Sequence, residues 1–110
     1  RVVQGHKAGG GSRGEIYFDR QELRLLLKLY SQRVVSGEWR DYALAHDGKR
    51  AVFAAFQSSL ANPQCTVEKL ARGAFRLTRR TRRGSSRLTA RSFAEVLTAL
   101  NSFPRLVARS

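Results

Sequence analysis

The sequence predicts an α+β domain: an antiparallel sheet of about four to five strands with two helices packed on one side. Three observations carry this. Two segments, one opening at Asp19 and one at Ser92, place apolar residues at helical spacing behind a capping signal. Between them lie short stretches of strand-like alternation. Turns at Asp47-Gly48 and around Arg82-Arg83-Gly84-Ser85 fold neighbouring stretches into hairpins.

In chain order, residues 1–14 contain five glycines and three bases without an acid, and read as a flexible basic arm. Glu15 to Phe18 reads as a short strand. Asp19 is the N-cap of the first helix, Glu22 closes a capping box, and Phe18 with Leu23 forms a hydrophobic staple. Leu23, Leu26, Leu27, Leu29, Tyr30 and Val34 gather on one broad face. Leu25 and Val35 fall outside it, which calls for a second element over that side. Gly37 ends the helix, because it tolerates a left-handed backbone.

Asp41 to His46 alternates as a strand, and Asp47-Gly48 suits a type I′ turn. Arg50 to Gln57 returns with apolar residues on both faces, the pattern of a central strand. Ser58 to Gln64, with Asn62-Pro63, is a loop. Cys65 to Leu70 is a third strand. Ala74 to Arg80 and Ser86 to Ala90 form a second hairpin around Arg82-Arg83-Gly84-Ser85. The second helix starts with a capping box from Ser92 to Glu95, buries Phe93, Val96, Leu97 and Leu100, and ends at Asn101 and Pro104. One domain therefore spans residues 15–104, and residues 105–110 are a fraying tail.

Charge is the strongest compositional feature. The 110 residues carry a net charge of +13. Residues 15–68 hold seven bases and seven acids and are neutral, whereas residues 69–110 hold eleven bases and one acid, a net +10. A concentrated basic region points to a polyanionic partner. No apolar run is long enough to span a bilayer. A lone cysteine, Cys65, excludes an internal disulfide and fits a reducing compartment.

Candidate binding residues follow from that segregation. Arg72, Arg76, Arg79, Arg80, Arg82, Arg83, Arg87 and Arg91 occur with no acid between Glu68 and Glu95. Guanidinium groups are planar forks matched to phosphate oxygens. A two-stranded ribbon carrying them would lie along a nucleic-acid backbone, or dock on an acidic protein face. Arg20, Arg24 and Lys28 form a stripe at four-residue spacing, either a solubilising outer face or a second polyanion track. Trp39 and Arg40, just past the helix stop, are either a packed corner or a partner contact with Trp39 as a base-stacking platform. Phe53, Phe56 and Phe75 read as core.

No catalytic constellation is visible. His46 beside Asp47 lacks converging ligands for a metal, Cys65 lacks a histidine partner, and Gly9-Gly10-Gly11 is not a phosphate loop. The expectation is a non-enzymatic protein without cofactor.

Three strings carry a resemblance: the Phe-Asp-Arg start at Phe18, Gly37 to Ala43 (GEWRDYA), and Arg50 to Phe53, followed by Thr66 to Lys69. They resemble a family of small bacterial domains of unknown function, seen mainly in alphaproteobacteria. The likeness is good over residues 17–70 and continues more weakly to about Leu100. The arginine-rich hairpin departs from the family pattern, which has fewer bases. The resemblance implies a bacterial cytoplasmic setting and brings no activity with it.

Overall fold

Asp19 initiates α1 (Arg20–Val35) as its side chain requires. Its Oδ1 accepts from the Glu22 N–H at 2.8 Å, and the Glu22 carboxylate accepts from the Asp19 N–H at 2.8 Å. The helix turns off at Gly37, whose φ of +87° is the left-handed conformation glycine takes without a Cβ clash. These details come from a computed structural model that describes residues 15–58 and 62–102. The basic arm (1–14), the Pro104 stop and the tail (105–110) lie outside the described residues.

Five strands follow as a meander: β1 (Asp41–His46), β2 (Ala51–Phe56), β3 (Cys65–Lys69), β4 (Phe75–Thr81) and β5 (Gly84–Ala90). They lie in the sheet in chain order, and every pair is antiparallel. α2 (Phe93–Ser102) returns onto the same side as α1. The architecture is the α+β arrangement expected, with five strands.

Alternation along each strand defines two faces. The inner face carries Leu44, Phe53, Val67 and Leu77 in register across four strands, and Leu26 and Leu29 of α1 and Val96 and Leu100 of α2 cover it. An aromatic ladder closes one end. Trp39 lies 6.3 Å from the Tyr30 ring and 6.3 Å from Phe53, and Tyr42 stacks on Phe53 at 5.7 Å. A salt bridge fixes the other end, where Lys69 Nζ donates to Glu22 at 2.8 Å and to the Tyr17 carbonyl at 2.9 Å.

Several local expectations are corrected. Glu15 to Phe18 makes no strand; the Ile16 N–H bonds the Gly48 carbonyl at 3.2 Å. The β1–β2 connection is a four-residue loop, not a two-residue type I′ turn, since His46 pairs with Ala51. Asp47 decides this: its carboxylate accepts from the Lys49 and Arg50 N–H groups, which also holds its pKa below the usual carboxylate value. The β4–β5 turn is tighter than expected, with Thr81 paired to Gly84 around Arg82-Arg83. At α2 the Ser92 hydroxyl caps Glu95, but the Glu95 carboxylate reaches the N–H of Arg91 rather than of Ser92.

On α1, Val34 and Val35 are 41% and 88% exposed, and no described element covers Val35. Arg33 is buried in their stead. It donates to the Leu100 carbonyl at 2.8 Å, pairs with Glu38 at 2.9 Å and sits 5.7 Å over the Trp39 ring. The last turn of α2 is thereby fastened to α1. β2 is the second strand, not the central one, and its outer face is not covered by either helix.

Cys65 sits at the inner end of β3, 3% exposed, and burial pushes its thiol up to about 12. Thiolate is the reactive form, so the native protein is expected to resist a disulfide reagent at pH 8 and to react once denaturant is added. Labelling followed by mass measurement checks this.

Candidate nucleic-acid interface

Strand parity decides where each arginine of the hairpin points. Arg76, Arg80 and Arg87 project from the outer face; Arg79 projects from the inner one. Thr78 pairs with Arg87 and with Thr66, so Arg76, Arg80 and Arg87 surround a patch of hydroxyls. Arg82 and Arg83 occupy the exposed turn beyond. A cleft of about 540 Å³ opens here, lined by Arg80, Arg82, Thr66, Thr78, Ser85 and Asn62 among others. Its chemistry is guanidinium, hydroxyl and amide, a donor-rich set suited to anionic oxygens.

Not all the candidate bases join this surface. Glu68, only 9% exposed, accepts from Arg76 at 3.0 Å and from Arg50 at 2.6 Å, so the Arg76 guanidinium is already engaged by a carboxylate that it shares with Arg50. Arg79 lies beside Cys65 on the inner face, and burial lowers its pKa. Arg72 and Arg91 lie at the opposite end of the hairpin from the tip, about 20 Å away along a seven-residue strand. Arg20, Arg24 and Lys28 are exposed on α1, which packs on the inner face, so their stripe faces away from the cleft. One ligand on the outer face does not reach both basic surfaces. Trp39 is 5% exposed and its ring is enclosed by Tyr30, Phe53 and Arg33, which leaves no ring face for a base or a partner. The Arg40 side chain is exposed, while its N–H is held by the Phe56 carbonyl at 2.7 Å.

The residues that come together are thus Arg80, Arg82, Arg83 and Arg87, with Thr66, Thr78, Ser85 and Asn62 between them. Sequence reading did not pick out the hydroxyls. The signal was present as β-strand threonines at Thr66 and Thr78, both at outward positions once the register is known.

Comparison with known families bears on the scaffold. The model of a family described as "Protein of unknown function (DUF2794)" matches residues 16–83, more than half the chain. The chain belongs to the DUF2794 family. No curated protein and no solved structure matches it significantly. The DUF2794 match runs from the segment before α1 to the turn arginines Arg82 and Arg83, so it takes in four of the five strands. β5 and α2, which complete the hairpin and the core, lie beyond it.

Arg72 supplies a test of which arginines matter in this DUF2794 chain. It is held at φ +62°, a left-handed conformation costing a side-chain-bearing residue about 1–2 kcal/mol. Arg72→Gly relieves that cost, offset in part by the freer unfolded chain. The expected result is a stability gain of up to about 1 kcal/mol, measured by urea denaturation, with anion affinity essentially unchanged.

Proposed function

We propose that this chain is a small, non-enzymatic nucleic-acid-binding domain of the cytoplasm that grips the phosphate backbone through the distal half of its β4–β5 hairpin. One observation carries the reading: Arg80, Arg82, Arg83 and Arg87 share one exposed surface beside a hydroxyl-lined cleft, and among the described residues none is ion-paired. The neutral scaffold holds this surface on a paired ribbon, so little ordering is lost when a backbone is bound. A reducing compartment suits the buried thiol of Cys65. No described helix is long and apolar enough to cross a membrane.

The test is binding to DNA and RNA across a salt series. Each neutralised phosphate adds about 0.7 to 0.9 to the slope of log affinity against log salt. A slope near zero in the presence of tight binding overturns the proposal.

A second reading is an accessory subunit docking by the same arginines on an acidic protein face. Leu88 favours it: 42% exposed on the inner side of the edge strand β5, opposite Arg80 and Arg87, it offers an apolar contact to a protein that wraps around the ribbon's edge. Affinity capture with and without nuclease separates the two. A stoichiometric protein that persists after nuclease supports the subunit; material lost on nuclease supports nucleic acid.

A further inference from the structure

The outer face of the sheet offers more than phosphate contacts. Its side chains fall into rows across the strands, set by the register. The row nearest the hairpin tip runs Asp41, Phe56, Gln64, Arg80 and Ser85. Asp41 pairs with Phe56, Gln64 N–H bonds the Ala55 carbonyl at 2.8 Å, and Arg80 N–H bonds the Gln64 carbonyl at 2.8 Å. The next row is Ala43, Ala54, Thr66, Thr78 and Arg87. A third, Ala45, Val52, Glu68, Arg76 and Thr89, is closed by the two salt bridges to Glu68.

Phe56 stands out in this lattice. It is the one large aromatic ring on the described outer face, half-buried, and it lies outside the core cluster that takes Phe53 and Phe75. Small side chains, Ala43 and Ala54, occupy the adjoining row of that face. Two strand spacings, about 10 Å, separate it from Arg80. An aromatic ring next to a guanidinium-and-hydroxyl cleft is the pairing that binds single strands: the base stacks on the ring and the flanking phosphate meets the arginines. A duplex keeps its bases stacked inside and offers nothing for the ring.

We propose that the outer face binds single-stranded nucleic acid, with Phe56 stacking one base while Arg80 and Arg87 hold the adjoining phosphates. This rests on the phosphate-binding reading above and adds to it a strand preference and a base-contacting residue. Asp41 bounds the row at its far edge, so the strand runs from Phe56 toward the cleft and away from that carboxylate. Glu68 repels little, because Arg50 and Arg76 already neutralise it.

The experiment is fluorescence anisotropy of the full chain with labelled oligo(dT), oligo(U) and a duplex, each of about 12 nucleotides, within the usual site size of single-strand binders. Single strands are expected to bind at least about tenfold tighter than the duplex at equal salt. Phe56→Leu is expected to weaken single-strand binding about tenfold while leaving the salt slope unchanged. Phe56→Trp is expected to keep the affinity, with indole fluorescence quenched by bound strands; Trp39 is buried and supplies a constant background. Duplex bound as tightly as single strands, or Phe56→Leu binding like the parent, overturns the inference while phosphate binding stands. If Phe56→Leu does not fold, unquenched Phe56→Trp overturns it alone. Absence of binding to every oligonucleotide overturns the phosphate-binding reading and this inference with it.

Discussion

Changing Arg80, Arg82, Arg83 and Arg87 together to serine is expected to weaken nucleic-acid binding about a hundredfold. The magnitude follows from exposure. Ion pairs made by exposed arginines contribute up to about 1 kcal/mol each, so four lose roughly 3 kcal/mol, and each 1.4 kcal/mol is a factor of ten. Four lost phosphate contacts also lower the salt slope by about 3. The melting temperature is expected to stay nearly constant, since all four side chains are exposed and none forms a salt bridge with a described residue. Arg79 does not belong to that set. It lies on the inner face beside Cys65, so its replacement disturbs packing and confuses the reading. Anisotropy titrations at several salt concentrations, with a thermal melt of each protein, check both halves of the expectation. A variant that melts like the parent and binds like it removes the hairpin from the function.

The second large effect concerns the scaffold. Phe53→Ala is expected to destabilise the protein by about 3–5 kcal/mol, the usual cost of emptying a fully buried phenyl site. Phe53 is completely enclosed, faces Leu44 and Val67 across the sheet, and carries the ring contacts to Trp39 and Tyr42. For a domain of this size that is a fall in melting temperature of roughly 15–30 °C. Phe56→Ala, three residues along the same strand, is expected to cost only about 1 kcal/mol, because a half-buried ring leaves less apolar area to lose. The pair tests the two faces of β2 against each other by thermal or urea denaturation. Equal losses would mean that the outer face is also core, and no ligand would then have access to it.

Much of the local structure was legible from residues alone. The capping box at Asp19 and Glu22, the stop at Gly37 and the alternation of β1 and β2 act over a few neighbouring positions, so their signals are local. The Asp47-Gly48 loop shows the limit of such rules. A turn dipeptide marks the corner, but the Asp47 carboxylate bonding two backbone N–H groups sets its length. Arg33 shows another limit. A charge at the end of a leucine stripe reads as surface, and only the free carbonyl of Leu100 and the π face of Trp39, both distant in sequence, make its burial favourable.

The sequence by itself determined that this is a neutral α+β scaffold bearing a cationic hairpin, because capping, periodicity and charge are properties of short stretches of chain. Only the tertiary structure decided which face of that hairpin is offered. β2 is apolar on both sides, so its pattern does not say whether Phe53 or Phe56 goes inward. The helices dock against one side, and every strand in register inherits that choice. A shift of one residue would have exchanged Arg79 for Arg80 and Phe53 for Phe56, turning the basic patch into the core.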